Sequence, residues 1–346
     1  MVFRNVNRRS VLQSIIAARI VDQRLSADPF MYETITAYVA LDREFSQPLL
    51  DQFRKETNLP FRAKYDVEST KTIGLVNSIR SESARPRADL FWNNEIIHTI
   101  RLKKIGLLEA YRPTFASEFP KRFRDPDDKW HGFAARGRVL IVHSKLVAER
   151  DQPNSIEDLT LPRWSGRIGI AKPFFGTTAT HAASLYATWG TIKADQFFAD
   201  LHRNRVQIMA GNKPVAEAVA AGKIAIGLTD TDDALVVKAQ GHPVKLIYPD
   251  RNADQTGTLF IPNTLAMIKN GPCQESAKRL LDWLYRPEVE TLLANGPSGQ
   301  IPLSPKARIG PKWADLNSVK PMEVDFEKAA ELFDDVMKRL AGLFQL

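Results

Sequence analysis

From residue 34 to Gly106, strand-like and helix-like segments alternate, with one unit about every 25 residues, and few folds accommodate such a series. Residues 34–40 (TITAYVA) are rich in strand formers. Phe45, Leu49, Leu50 and Phe53 follow at helical spacing. Residues 61–67 alternate as a second strand, and residues 69–80 read as an amphipathic helix opening on a Ser/Thr cap. Residues 88–92 (ADLFW) form a third strand, and the helix over 96–105 stops at Gly106. Parallel strands joined through helices bury both faces of a sheet, so an α/β layer with helical faces is predicted.

The pattern continues less regularly. Strands are predicted at 139–143, 168–170, 206–209, 224–228, 244–248, 257–261 and 264–268. Helices are predicted at 179–189, 195–204, 214–221, 234–241, 274–285 and 287–295. From Asp325 a last helix carries Phe326, Ala329, Phe333, Val336, Leu340 and Leu343 on one face, as expected of a strap packed on a lobe.

The most chemical stretch lies at residues 224–234. A short apolar run (IAIGL) leads into Thr229, Asp230, Thr231, Asp232 and Asp233, and then into a helix. In open α/β sheets, ligands meet the carboxyl ends of strands. Three carboxylates so close repel one another unless donors, water or a cation compensate them. Aspartates are also favoured at helix starts, so capping alone explains the same pattern.

Composition narrows the function classes. Of 346 residues, 44% are apolar and 25% charged, which is ordinary for a globular protein with room for two domains. The net charge of +8 owes much to Arg4, Arg8, Arg9, Arg19 and Arg24, and no basic stripe interleaves with aromatics, so nucleic acid is not expected as a partner. No apolar run is long enough to span a membrane. The single cysteine, Cys273, excludes an internal disulfide and a thiolate metal cluster. Residues 7–13 loosely resemble a twin-arginine export signal, but Arg19, Asp22 and Arg24 cut its apolar segment short.

The order of ADLFW at 88–92, GLL at 106–108, WSGRI at 164–168, Gly190, Asn204, Asn212, Val215-Ala216, Gly222, the 224–228 strand and QIPL at 300–303 resembles the ferric-iron group of periplasmic solute-binding proteins that feed ABC importers. The resemblance covers roughly residues 34–310 and implies a two-lobed type II periplasmic-binding-protein fold, each lobe a mostly parallel sheet flanked by helices, with two crossover strands. It divides the chain into an extension or degraded export signal (1–33), a discontinuous first lobe (34–136 and 264–310), a second lobe (137–263) and a strap (311–346). The implied ligand lies between the lobes, and lobe closure is a hinge motion.

In that group a pair of tyrosines after the strand matching 224–228 binds ferric iron; here Asp232 and Asp233 stand in their place. The group's early histidine falls near Asp42, Arg43 and Glu44, and its glutamate falls on Asn94, with Glu95 beside it. Carboxylates are hard oxygen donors that suit iron and other hard cations. Glu95, His181, Asp232 and Asp233 are therefore candidate metal ligands, with Asp42 or Glu44 beside them. An anion is the alternative. Gly176, Thr177 and Thr178 open a helix, a ready phosphate site, with Arg43 as a bidentate partner and Asp230, Asp232 or Asp233 accepting from hydroxyls. Asn212 completes the ligand set, and Trp92 is expected to line the cleft. The expected function is capture of a hard cation, iron(III) foremost, free or chelated, as the periplasmic, monomeric component of an importer, with an ABC permease as partner and no catalytic cofactor. A phosphorylated sugar or other small organic anion is the second expectation. An enzyme using Asp232 or Glu95 as acid or base, or a cytosolic sensor, follows behind, since no nucleophile–base pair or Gly-rich cofactor loop is present.

Overall fold

The computed structural model describes residues 34–66, 72–310, 313, 316 and 318–345. The arginine-rich start with its export-like motif, and the proposed cap at Ser69, lie outside the described residues.

The first sheet half is built from β1 (Ile35–Val39), β2 (Phe61–Tyr65) and β3 (Leu90–Asn93), paired in parallel in the order β2-β1-β3. The helices α1 (Arg43–Thr57), α2 (Ile73–Ser81) and α3 (Ile97–Lys104) connect them and lead on from β3. A short β4 (Leu108–Glu109) follows. The second half carries β6 (Ile168–Ala171), β7 (Gln207–Met209) and β8 (Ile226–Asp230) in the parallel order β8-β6-β7. Its helices are α4 (Gly176–Trp189), α5 (Thr191–Arg203), α6 (Asn212–Ala220) and α7 (Thr231–Ala239), with β9 (Val244–Ile247) at the side.

Two long strands join the halves. β5 (His131–His143) and β10 (Phe260–Ile268) run antiparallel, from Phe260 opposite Gly137 to Leu265 opposite His131. β10 then pairs with β3, while the far half of β5, from Arg138 to His143, pairs with β8 and β9. The chain is therefore two-lobed, and each crossover strand belongs to both lobes. The apolar spacing recovers only the second half of β5, and it splits β10 at Pro262, which sits beside a register shift. Proline is tolerated there because a bulge needs one ladder donor fewer.

Each lobe has apolar layers on both faces of its sheet. In the first lobe Phe53, Leu50, Trp92 and Phe133 pack beneath α1 and α8 (Gln274–Leu284), with α9 (Pro287–Asn295) alongside. In the second lobe Leu140, Ile226 and Ile170 pack under α4 and α5, and Ile141, Val219 and Val237 under α6 and α7. The last helix, α10 (Phe326–Phe344), departs from the expectation of a strap on one lobe. Its Phe333 joins α3 and α4 in one cluster, while Val336, Leu340 and Phe344 join the second-lobe core. Ion pairs Arg101–Asp334 (2.7 Å) and Lys104–Glu331 (3.0 Å) tie it to α3, and Arg339–Asp195 (3.0 Å) ties it to α5.

Candidate functional site

The carboxyl end of β8 meets the crossover strands at a cavity of about 30 Å³ between the lobes. Asp42 and Asn94 line it from the first lobe; Thr177, Thr178, Asn212, Asp230, Asp232 and Asp233 line it from the second. Asp230 ends β8 with extended backbone, and Asp232 and Asp233 stand in the first turn of α7 rather than in a preceding loop. Carboxylates there complement the helix dipole. α4 likewise starts three residues earlier than the apolar spacing predicts, which puts Gly176, Thr177 and Thr178 in its first turn.

Two arginines on β5 dominate the electrostatics. Arg138 lies opposite Asp230 in the ladder and is fully buried; its Nη1 donates to Asp230 Oδ1 at 2.6 Å. Arg136 is 3% exposed; its Nε donates to Asp232 Oδ2 at 2.5 Å and its Nη1 to the Asn94 carbonyl at 2.8 Å. Arg136 therefore bridges the lobes at the cavity floor. Asp230 also accepts from Thr177 Oγ1 (2.5 Å) and Asn212 Nδ2 (3.0 Å). With these partners most of its lone pairs are committed, so Asp230 acts as a buttress that orients its neighbours. Burial raises the pKa of Asp232, with Asp230 and Asp42 adding to the rise and Arg136 opposing it. Burial works against the charge on Arg136, but Asp232, Asp230 and Asp42 outweigh it and push its pKa up.

Several residues singled out from sequence stand elsewhere. Arg43 and Glu44 are exposed on the first turn of α1, with Arg43 over the Tyr65 ring at 5.7 Å, and neither lines the cavity. Glu95 is fully buried as the cap of α3, accepting from the amides of Ile97 (2.6 Å) and His98 (3.0 Å), from Asn93 Nδ2 (2.7 Å) and from Thr180 Oγ1 (2.9 Å). Its oxygens are spent on the helix end and on an inter-lobe link. His181 faces a cation: Arg138 Nε approaches its Nδ1 at 3.4 Å, and burial together with Arg138 holds its pKa well below the usual imidazole value. A ring nitrogen turned to a guanidinium is a poor metal donor. Trp92 belongs to the first-lobe core, tilted against Phe133 at 5.5 Å, and does not line the cavity.

Arg136 and Arg138 are the site residues missed from sequence. Their signal was two like charges at i, i+2, and so on one strand face, immediately before the apolar run at 139–142.

Among the described residues, Asp230, Asp232 and Asp233 form one candidate cation cluster, each offering a carboxylate oxygen within 4.8 Å of the others. No described helix is long and apolar enough to cross a membrane.

Comparison with known proteins places this geometry. Iron uptake protein A2 of Synechocystis is 26% identical over 260 residues, 71% of this chain and 73% of that protein. Iron-bound HitA of Pseudomonas aeruginosa superposes with a TM-score of 0.79 at 21% identity, over 89% of this chain and 99% of that one. The periplasmic binding protein AfuA of Actinobacillus pleuropneumoniae, with fructose-6-phosphate bound, also gives 0.79 at 21% identity, over 90% and 99%. A family model described as bacterial extracellular solute-binding protein matches residues 88–324, more than half of the chain. This chain therefore belongs to the bacterial extracellular solute-binding proteins, a family that binds solutes for transport rather than transforming them.

Proposed function

We propose that the protein captures a hard metal cation, iron foremost, free or chelated, in the cavity beyond β8. It hands the cation to the membrane permease of an ABC importer, acting as a monomer outside the cytoplasmic membrane. One observation carries this reading: the carboxylates of Asp232 and Asp233, within 4.8 Å of each other and of the buttress Asp230, stand at a cavity of about 30 Å³. That volume suits an ion with a water or two, since one water needs about 10–15 Å³ on this scale. Asp232 and Asp233 from the second lobe, with Asp42 and the Asn94 amide oxygen from the first, are the donors of this reading. Both sets already face the one cavity. The iron-binding names of several relatives agree with it.

A second reading, a phosphorylated sugar or other small organic anion, is favoured by Arg136. Arg136 lines the cavity where α4 and α6 begin. A guanidinium and helix N-termini attract anions. A hexose phosphate far exceeds the present cavity, so this reading requires the lobes to part.

Native mass spectrometry with elemental analysis of protein purified without added metal separates the two. Stoichiometric metal supports the cation reading. A co-purifying organic mass without metal overturns it in favour of the anion.

A further inference from the structure

The crossover strand β5 contains one residue too many. Phe133 pairs with Asn263 and Ala135 with Pro262, leaving Ala134 opposite no partner. Ala134 takes a φ of +44°, a left-handed conformation that costs a residue with a Cβ. Side chains alternate along a strand, so an inserted residue exchanges the two faces for everything beyond it. Because of Ala134, Arg136 and Arg138 take the face that Phe133 occupies, and that face leads to the cavity and to Asp232 and Asp230. The bulge lies within the stretch of β5 paired with β10, with three residues between Ala134 and Arg138, where pairing with β8 begins.

The strained residue is held by buried side chains. The Ala134 amide donates to Glu290 Oε1 at 2.6 Å, and its carbonyl accepts from Asn263 Nδ2. Glu290, fully buried on α9, also accepts from the amides of Leu303 (2.9 Å) and Ser304 (2.7 Å). Ala135 exchanges two backbone hydrogen bonds with Ile301 of the same loop, at 2.6 and 2.7 Å. No lysine or arginine is bonded to Glu290 among the described residues; backbone amides alone hold its carboxylate.

We infer that Glu290 is a positioning residue for solute capture, its carboxylate fixing the Ala134 bulge that aims Arg136 and Arg138 into the cleft and bends the strand joining the lobes. The inference goes beyond the proposed function and does not depend on which solute binds. Burial pushes the Glu290 carboxyl up to about 7, while its three amides pull it down. Protonation near neutral pH therefore weakens the hold on the bulge, and the lobe arrangement becomes pH-dependent. The groups around it do not supply that dependence. Tyr285, at the end of α8, is pushed far up by burial, and His131 on β5 is pushed down by burial and titrates at lower pH. Arg136 on β5 is pushed up by Asp232, Asp230 and Asp42, and Lys306 in the facing loop pairs with Glu118 at 2.6 Å.

Pulsed electron–electron resonance on the full ligand-free chain, spin-labelled at K55C on α1 and K193C on α5, tests this between pH 6 and 8.5. The wild-type distance distribution should change with a midpoint near pH 7, and E290Q should hold one distribution throughout. A134G keeps the amide that Glu290 accepts from but removes the cost of the left-handed residue, so the bulge depends less on that bond and the pH response should fall by at least half. It also serves as the decisive variant should E290Q fail to fold. A wild-type distribution that does not move with pH overturns the inference, as does an E290Q or A134G response equal to that of wild type. None of these outcomes depends on the metal content that tests the proposed function.

Discussion

Asp230 and Arg138 form a buried pair whose loss should be costly and whose joint replacement should not be. Their side chains are 6% and 0% exposed and meet at 2.6 Å. In Asp230→Asn the shape is kept, but the buried Arg138 guanidinium loses its only carboxylate partner among the described residues. Breaking such a pair from one side costs about 3–5 kcal/mol, because the abandoned ion keeps its desolvation penalty. Arg138→Met leaves Asp230 with Thr177 and Asn212 as donors, so its cost should be smaller, about 2–4 kcal/mol. The double variant buries no unpaired charge and should come within about 2 kcal/mol of the parent. The cycle then shows a coupling of at least about 2 kcal/mol. Urea unfolding followed by tryptophan fluorescence measures all four free energies. A single-variant cost under about 1 kcal/mol for Asp230→Asn, or single effects that add within about 0.5 kcal/mol, would refute the buttress assignment.

Other outcomes follow from the same contacts. Asp232→Asn and Asp233→Asn should each weaken binding of the co-purifying metal more than tenfold, about 1.4 kcal/mol, by isothermal calorimetry; unchanged affinity removes that residue from the donor set. Glu95→Ala should cost about 2 kcal/mol in denaturant unfolding through loss of the α3 cap, with metal affinity altered less than threefold. Glu290 carries a pKa of about 7 against an ordinary 4.5, so folding favours its protonated form. Its contribution is fully present below about pH 4.5 and is lost as pH rises through 7, a change of about 3 kcal/mol. Glu290→Gln should flatten that part of the stability profile, and a profile identical to wild type would contradict it.

The first three strands and their helices were legible because each apolar face repeats at its own period and ends on a turn signal, as at Gly106. The acidic corner was legible because it follows an apolar run too short for a helix. β5 was not, since Gly132, Ala134, Arg136, Gly137 and Arg138 look like a solvated loop until their partners are known. Those partners lie far off in sequence: Arg138 and Asp230 are 92 residues apart, and Arg136 and Asp232 are 96 apart. Period and propensity are local quantities, and a buried ion pair is not. Glu95 misled for a related reason. A carboxylate after a strand reads as a ligand, whereas the unpaired amides of the next helix had the prior claim on it. The identity of the cleft donors was therefore visible on the second-lobe side and obscured on the first.

The placement of α10 bears on how the lobes can travel. Bodies joined by two neighbouring ribbons can swing and also twist about the line of the ribbons. A rod resting on both bodies away from that line removes the twist and leaves the swing. With Phe333 seated between α3 and α4, and charged side chains reaching to α3 on one side and α5 on the other, α10 should leave the lobes a single closing path, along which its contacts with α3 must shift. Whatever loosens the tail of this chain thus alters the path of closure before it touches a single residue of the cavity.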